Sequence, residues 1–127
     1  MPIALPPPVL EVFYSPTCAP CRLELPVLAQ IVEKRNMRLR IILVDQEKRA
    51  RGDIQKVSLR LEKLAAPSSV HRPRQALLSA GDGDGILPFA RSVSPSGKAC
   101  ATWRGGMTVP RAEAMLAACR ITAPYPR

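Results

Sequence analysis

Val9-Leu10-Glu11-Val12-Phe13-Tyr14-Ser15-Pro16-Thr17-Cys18-Ala19-Pro20-Cys21-Arg22 carries two cysteines where a predicted strand meets a predicted helix. Its first six residues are mostly branched, aromatic or long apolar side chains, as is typical of a short β-strand. Beyond the cysteines, apolar residues recur at roughly helical spacing, at Leu23, Leu25, Leu28, Ile31 and Val32. The sequence therefore predicts that the cysteine pair lies at the N-terminus of a helix.

A helix N-terminus is a favourable position for a reactive thiol. Its first turn has unpaired backbone N–H groups and a partial positive charge, and both stabilise a thiolate. With two residues between the thiols, Cys21 can attack a mixed disulfide formed at Cys18, which gives a two-electron cycle that needs no cofactor. Pro20 stiffens the turn without loss of a hydrogen bond, because N–H groups in a first turn lack intrahelical acceptors.

Two other interpretations of the pair stay open. The pair could be half of a zinc site, but the remaining candidate ligands, Cys100, Cys119 and His71, form no second close pair. We therefore expect no metal site. Alternatively, the pair could be a redox-silent structural disulfide, and the chain would then be a binding or scaffolding module.

Length and composition favour one folded domain. The chain has 127 residues and a hydrophobic fraction of 46%, which is ordinary for a globular protein. Prolines cluster near both ends, so we assign 1–8 to a proline-rich N-terminal arm, 9–121 to the domain and 122–127 to a C-terminal tail.

The formal charge of +9 raises the question of nucleic-acid binding. Acidic residues are mixed among the basic ones, and only 4% of residues are aromatic and able to stack on bases. Sequence-specific binding is therefore not expected, and salt-sensitive electrostatic binding is the weakest hypothesis. Weak attraction to acidic surfaces fits the charge better.

The start of the chain bears on localisation. It has neither a basic region nor a long apolar run of a secretory signal, and no stretch of the chain reaches membrane-spanning length. We expect a cytoplasmic protein if Met1 is the native start. If a leader or anchor has been removed, we expect a periplasmic or membrane-tethered protein.

The rest of the chain predicts alternating elements. A first helix is expected over about 18–35, with a break at Pro26. The apolar run 39–44 is typical of a parallel strand covered on both faces, and it completes a right-handed βαβ unit. A second helix is expected over 46–64, with Ile54, Val57, Leu61 and Leu64 on its apolar side. A short helical piece over 74–79 and a mobile, solvated loop over 81–85 follow it. The chain then predicts a β-hairpin over 86–104 and a final helix capped by Thr108.

The other two cysteines lie on elements that should pack together. Cys100 is on the second hairpin strand, and Cys119 is on the apolar stripe of the final helix, so we expect Cys119 to be buried. A second disulfide is geometrically allowed. Two buried free thiols are the simpler expectation.

Together these features resemble the thioredoxin-fold proteins over nearly the whole of Val9 to Arg120. The resemblance rests on the strand, the CxxC pair, Pro26 five residues after Cys21, Leu87-Pro88, the hairpin and the closing helix. The run from Cys18 to Leu28 is most similar to the TlpA-like branch of bacterial thiol-disulfide oxidoreductases. The resemblance implies an α/β fold, a three-layer α/β/α sandwich with a mixed sheet, shortened at the N-terminus to the order β-α-β-α-β-β-α.

The resemblance also implies a site and an activity. Cys18 would be the nucleophile and Cys21 the resolving thiol of a protein disulfide oxidoreductase, with Ala19, Pro20 and Arg22 supporting them. Pro88 matches the family's cis-proline, so the peptide bond between Leu87 and Pro88 should be cis. These two residues would then hold the extended backbone of a substrate. The implied partners are protein thiols or disulfides and a redox partner protein, and the chain would act as a monomer.

Two departures from the family bear on the mechanism. Thr17 stands where a tryptophan is usual, and Val12 stands where thioredoxin proper has a buried aspartate. Glu11 is adjacent, but the alternation of side chains along a strand points it to the other face. Proton transfer to Cys21 would then need Glu11 by a different route, another acid, or water.

Overall fold

A computed structural model of the chain describes residues 6–122. Residues 1–5 of the predicted arm and 123–127 of the predicted tail lie outside the described residues. The strands are β1 Val9–Tyr14, β2 Leu39–Leu43, β3 Ala65–Pro67, β4 Phe89–Val93 and β5 Ala99–Arg104. The helices are α1 Ala19–Leu23, α2 Leu25–Lys34, α3 Glu47–Val57, α4 Leu59–Glu62, α5 Pro73–Ser79 and α6 Val109–Thr122.

One mixed sheet organises the molecule. Its strand order is β3-β2-β1-β4-β5. The β1–β2 and β2–β3 pairs are parallel, whereas the β1–β4 and β4–β5 pairs are antiparallel. The predicted βαβ unit and hairpin are therefore confirmed.

Strand β3 is an addition to the predicted element order. It has only three residues, Ala65–Pro67, and carries no alternating pattern. It is held through its backbone: the Ile41 N–H donates to the Leu64 carbonyl at 3.0 Å, and the Ser68 N–H donates to the Leu43 carbonyl at 2.8 Å. Strand β3 therefore forms because the edge of β2 has backbone N–H and C=O groups that need hydrogen-bond partners.

Apolar side chains cover both faces of the sheet. From β1, Leu10, Val12 and Tyr14 point into the larger core, which α2, α3, α4 and α6 complete. On the opposite face, Phe13 packs against Phe89 with ring centroids 5.5 Å apart, in a smaller core that includes residues of α5. This arrangement is the predicted three-layer sandwich.

The first two predicted helices are each divided in two. Glu24 separates α1 from α2, so Pro26 lies in the first turn of α2, where its missing N–H costs no hydrogen bond. Ser58 divides the second helix because its backbone is extended, with φ −161°, and its side chain caps α4. Val57 precedes this break and is 42% exposed, so its predicted place on the buried side was wrong.

A second disulfide joins the final helix to the sheet. Cys100 on β5 is bonded to Cys119 on α6, with the Cα atoms 5.0 Å apart. The expectation of two free thiols was therefore wrong, whereas the burial predicted for Cys119 is confirmed. The physical reason is the packing of α6, whose apolar stripe places Cys119 beside β5.

No helix within residues 6–122 combines the length and the apolar character needed to cross a membrane.

Candidate active site

The cysteine pair lies at the connection between β1 and α1. Cys18 is the N-cap residue of α1, with an extended backbone, and Pro20 occupies the first turn. The two cysteines form a disulfide with their Cα atoms 5.2 Å apart. In addition, the Cys21 N–H donates to the Cys18 Sγ at 3.2 Å, as a backbone N–H would to an N-cap serine or aspartate. The predicted position at a helix N-terminus is confirmed.

The two sulfur-bearing residues differ in exposure. Cys21 is 0% exposed, and its Sγ lies 3.9 Å from the Phe13 carbonyl oxygen. Cys18 is half-buried, and Thr17 and Ala19 beside it are exposed. A large partner can therefore contact Cys18 without contacting Cys21. Because all four cysteines are in disulfides, none is left as a zinc ligand in this form of the protein.

The loop before β4 forms the second wall of the site. The peptide bond between Leu87 and Pro88 is cis, as predicted. Leu87 and Cys18 line the same groove, which has a volume of about 480 Å³. Pro88 is half-buried and lies between Leu87 and β4, outside the lining of this groove. The structure thus brings Leu87 and Cys18 together at one groove.

The glycine-rich loop that leads to Leu87 is a turn with Gly81, Gly83 and Asp84 exposed, in agreement with the predicted solvated loop, but Asp82 within it is buried. Asp82 is 1% exposed, and its carboxylate accepts N–H groups of Asp84 at 3.2 Å and Ile86 at 3.0 Å. Arg104 on β5 pairs with Asp82 at 3.0 Å and also with Asp84. The DGD pattern is a signal for such turns, because aspartate accepts from backbone N–H groups two residues further along.

Glu24 is a buried acid close to the cysteine pair in sequence that no pattern in the sequence indicated. It lies three residues after Cys21 and is 5% exposed. Its Oε2 accepts the Met107 N–H at 2.9 Å. Burial raises the pKa of Glu24 to about 7, and the hydrogen bond from Met107 opposes part of that rise. Glu24 can therefore gain or lose a proton near neutral pH.

Glu11 lies on the other face of the sheet, as strand alternation predicted. Its carboxylate accepts from Arg40 at 2.8 Å and from Arg91 at 2.7 Å. The register of the sheet places these two arginines on either side of Glu11. Cys21 packs in the core on the opposite face, so Glu11 is engaged away from the cysteine pair.

Comparisons with known proteins match the fold. No family model matches the chain, and no curated protein matches it significantly in sequence. The thioredoxin-related protein from Neisseria meningitidis serogroup B aligns with a TM-score of 0.72 and 16% identity, over 91% of this chain and 87% of that chain. A secreted Mycobacterium tuberculosis disulfide oxidoreductase homologous to E. coli DsbE aligns with a TM-score of 0.65 and 15% identity, over 88% and 81%. The thio-disulfide isomerase from Thermus thermophilus aligns with a TM-score of 0.59 and 22% identity, over 87% and 78%.

The chain therefore has the thioredoxin-like fold, in agreement with the fold class predicted from the sequence. At these identities the similarity establishes the fold, and the activity has to be argued from the cysteine pair and its surroundings.

Proposed function

We propose that the protein is a thiol-disulfide oxidoreductase that acts on protein substrates through Cys18 and Cys21. The observation that carries the proposal is the unequal exposure of a bonded CxxC pair, with Cys21 fully buried and Cys18 open to a groove. Protein thiols and disulfides are large partners, so exchange with them requires one accessible sulfur, and the burial of the second sulfur directs the partner to the first. The similar solved structures described as disulfide oxidoreductases support the same class.

The two cysteines alone supply both electrons that the exchange transfers. In the reduced protein, the Cys18 thiolate attacks a substrate disulfide, forms a mixed disulfide and releases one substrate sulfur as a thiolate. The Cys21 thiolate then attacks the Cys18 sulfur, so the second substrate sulfur leaves and the protein disulfide forms. Two electrons pass to the substrate, and its two sulfurs take up protons. The reverse sequence oxidises a substrate dithiol, and a redox partner protein restores the starting form.

Glu24 is our candidate for the group that exchanges a proton with Cys21. Cys21 is buried, so the proton that it loses or gains has to pass through a nearby group or water. Glu24 follows one helical turn later, is buried, and has a pKa of about 7, close to the pH at which a general acid or base is most effective. Glu11 is held by two arginines on the other face, so we assign to Glu24 the proton-exchange role that Val12 cannot fill.

Leu87 and Pro88 are proposed to hold the substrate backbone next to Cys18. Support comes from the shared groove of Leu87 and Cys18, and from the hydrogen bonds of Asp82 that fix the preceding residue. Ala19 and Pro20 are exposed at the mouth of the site, where they leave room for a partner. Arg22 is exposed on α1 and adds positive charge to the surface around the pair.

The proposal is tested by reduction of insulin disulfides and by oxidative refolding of a reduced substrate. We expect the wild-type chain to be active, Cys18→Ser to be inactive, and Cys21→Ser to accumulate a mixed disulfide with substrate. The double variant Cys100→Ser/Cys119→Ser is the matched control, since it removes the other disulfide and keeps the CxxC pair. Equal rates for wild type and Cys18→Ser would favour a redox-inactive binding module.

A further inference from the structure

The groove beside Cys18 contains a cationic side chain that the exchange chemistry does not use. One wall of the groove is the turn that holds Cys18, and the other is formed by the start of α5 and the loop before Leu87. Arg74 lies in this second wall and is exposed. A substrate segment lying against Leu87 would therefore pass close to the Arg74 guanidinium.

The stem of Arg74 lies directly against Gly85. A methyl group added at Gly85 would lie 2.8 Å from the Arg74 Cγ and 3.5 Å from its Nε, so the arginine stem occupies the space next to this glycine. Gly85 also has φ +64°, a conformation that side chains rarely adopt. Gly85 precedes Leu87 by two residues. The guanidinium therefore lies beside the segment proposed to hold the substrate.

The guanidinium has no partner within residues 6–122. No carboxylate in this part of the chain lies within ion-pair distance of Arg74, and no acceptor in it forms a hydrogen bond with Arg74. Arg104 provides a contrast, since it pairs with two acidic residues of the same loop, Asp82 and Asp84. Arg74 is therefore available to a carboxylate that comes from outside the chain.

Asp45 is the one acidic residue in the groove lining, and it would favour the opposite charge in a substrate. It is only half-buried, but its Oδ1 is inaccessible to solvent and has no hydrogen-bond partner in the described chain. The Arg74 guanidinium, in contrast, is exposed and can form two parallel hydrogen bonds with one carboxylate. A substrate side chain arriving from solvent can therefore pair with the accessible guanidinium, whereas the Oδ1 of Asp45 is inaccessible to it.

We propose that Arg74 is a specificity-determining residue that selects substrates with an aspartate or glutamate close to the reacting cysteine. This inference rests on the proposed function, because it concerns which disulfides or dithiols the Cys18–Cys21 pair exchanges with. Pairing of a carboxylate with the guanidinium places the substrate segment along the wall that contains Leu87. An acidic neighbour should raise the rate constant of exchange about two- to fivefold over a neutral one, as expected for an exposed ion pair.

The test uses short peptides closed by a disulfide, with aspartate, asparagine or lysine next to the first cysteine. Each is reduced by the full reduced chain, and the protein dithiol becomes a disulfide as the peptide becomes a dithiol. Hydroxyethyl disulfide, which is small and uncharged, is measured alongside. Dividing each peptide rate by the hydroxyethyl disulfide rate cancels any effect of a variant on the reactivity of Cys18.

We expect the normalised rates of the wild type to fall in the order aspartate, asparagine, lysine, and the differences to shrink at high salt. Arg74→Glu should reverse the order. Arg72→Glu is the matched control, because it makes the same change of charge two residues earlier in the chain. Arg72 is exposed and does not line the groove. It should keep the wild-type order.

Two results would overturn the inference alone: equal normalised rates for the three wild-type peptides, or equal shifts in Arg74→Glu and Arg72→Glu, which would indicate only net charge. Absence of any exchange with hydroxyethyl disulfide would instead overturn the proposed function, and this inference with it.

Discussion

Replacement of Glu24 by glutamine should change how the stability of the protein depends on pH. Glu24 is buried, and burial raises its pKa from the ordinary 4.5 to about 7. Between these two values the folded state holds a proton that the unfolded state has lost. Stability therefore falls as the pH rises through this window, and the contribution of protonated Glu24 is lost above the folded pKa.

The size of the effect follows from the pKa difference. Each pKa unit corresponds to about 1.4 kcal/mol, so the free energy of unfolding should decrease by about 3 kcal/mol between about pH 4 and about pH 8 because of Glu24 alone. Glutamine keeps an oxygen for the Met107 N–H and cannot ionise. The Glu24→Gln variant should lack this decrease.

The measurement is urea unfolding of the oxidised wild type and Glu24→Gln at a series of pH values, with both disulfides intact. Other titrating groups are common to both proteins, so the difference between the two curves isolates Glu24. Glu113→Gln makes the same chemical change at an exposed position and should run parallel to the wild type. Parallel curves for wild type and Glu24→Gln would refute the reasoning, since they would show that Glu24 is not held protonated by burial.

The remaining predictions concern the second disulfide, the loop and the far face. Cys100→Ser/Cys119→Ser opens a link between residues 19 apart and should lower the free energy of unfolding by about 3 kcal/mol, measured by urea unfolding. Asp82→Asn should lower the free energy of unfolding by about 1–3 kcal/mol and raise the hydrogen-exchange rate of the Ile86 amide. It should also slow thiol-disulfide exchange with peptides more than with hydroxyethyl disulfide. Glu11→Gln should lower stability by about 1–3 kcal/mol in thermal melts, because Arg40 and Arg91 lose their shared carboxylate, and should leave insulin reduction unchanged. An unaffected melting curve would contradict the last prediction.

The elements that the sequence predicted are those with strong local patterns. Strand β1 is marked by branched and aromatic residues, β2 by a continuous apolar run, and α6 by buried apolar residues at helical spacing. The hairpin is marked by two strand-like runs on either side of a turn. The N-cap role of Thr108 is a similar local feature, and its Oγ1 accepts the Arg111 N–H at 3.2 Å. Such features depend on residues a few positions apart, so they are readable from a single sequence.

The features that the sequence did not predict depend on distant partners. Strand β3 exists because β2 offers an unpaired edge, although Ala65–Pro67 has no strand pattern of its own. Asp82 is ordered through Arg104, which comes from the far strand of the hairpin. Glu24 is buried against the backbone of Met107, 83 residues away. These pairings join residues that are far apart in the chain, so no local sequence pattern indicates them.

The different roles of the two cysteines follow from helix capping. The side chain of an N-cap residue folds back over the N–H group three residues later, and here that geometry places the Cys18 Sγ 3.2 Å from the Cys21 nitrogen. The same geometry that serves serine and threonine caps therefore brings the two sulfurs within bonding range. Yet the N-cap precedes the helix and lies at its open end, whereas Cys21 is inside it and faces the core. A partner can reach the sulfur of the cap first, so exchanging the two roles would require the helix to turn another face to the sheet.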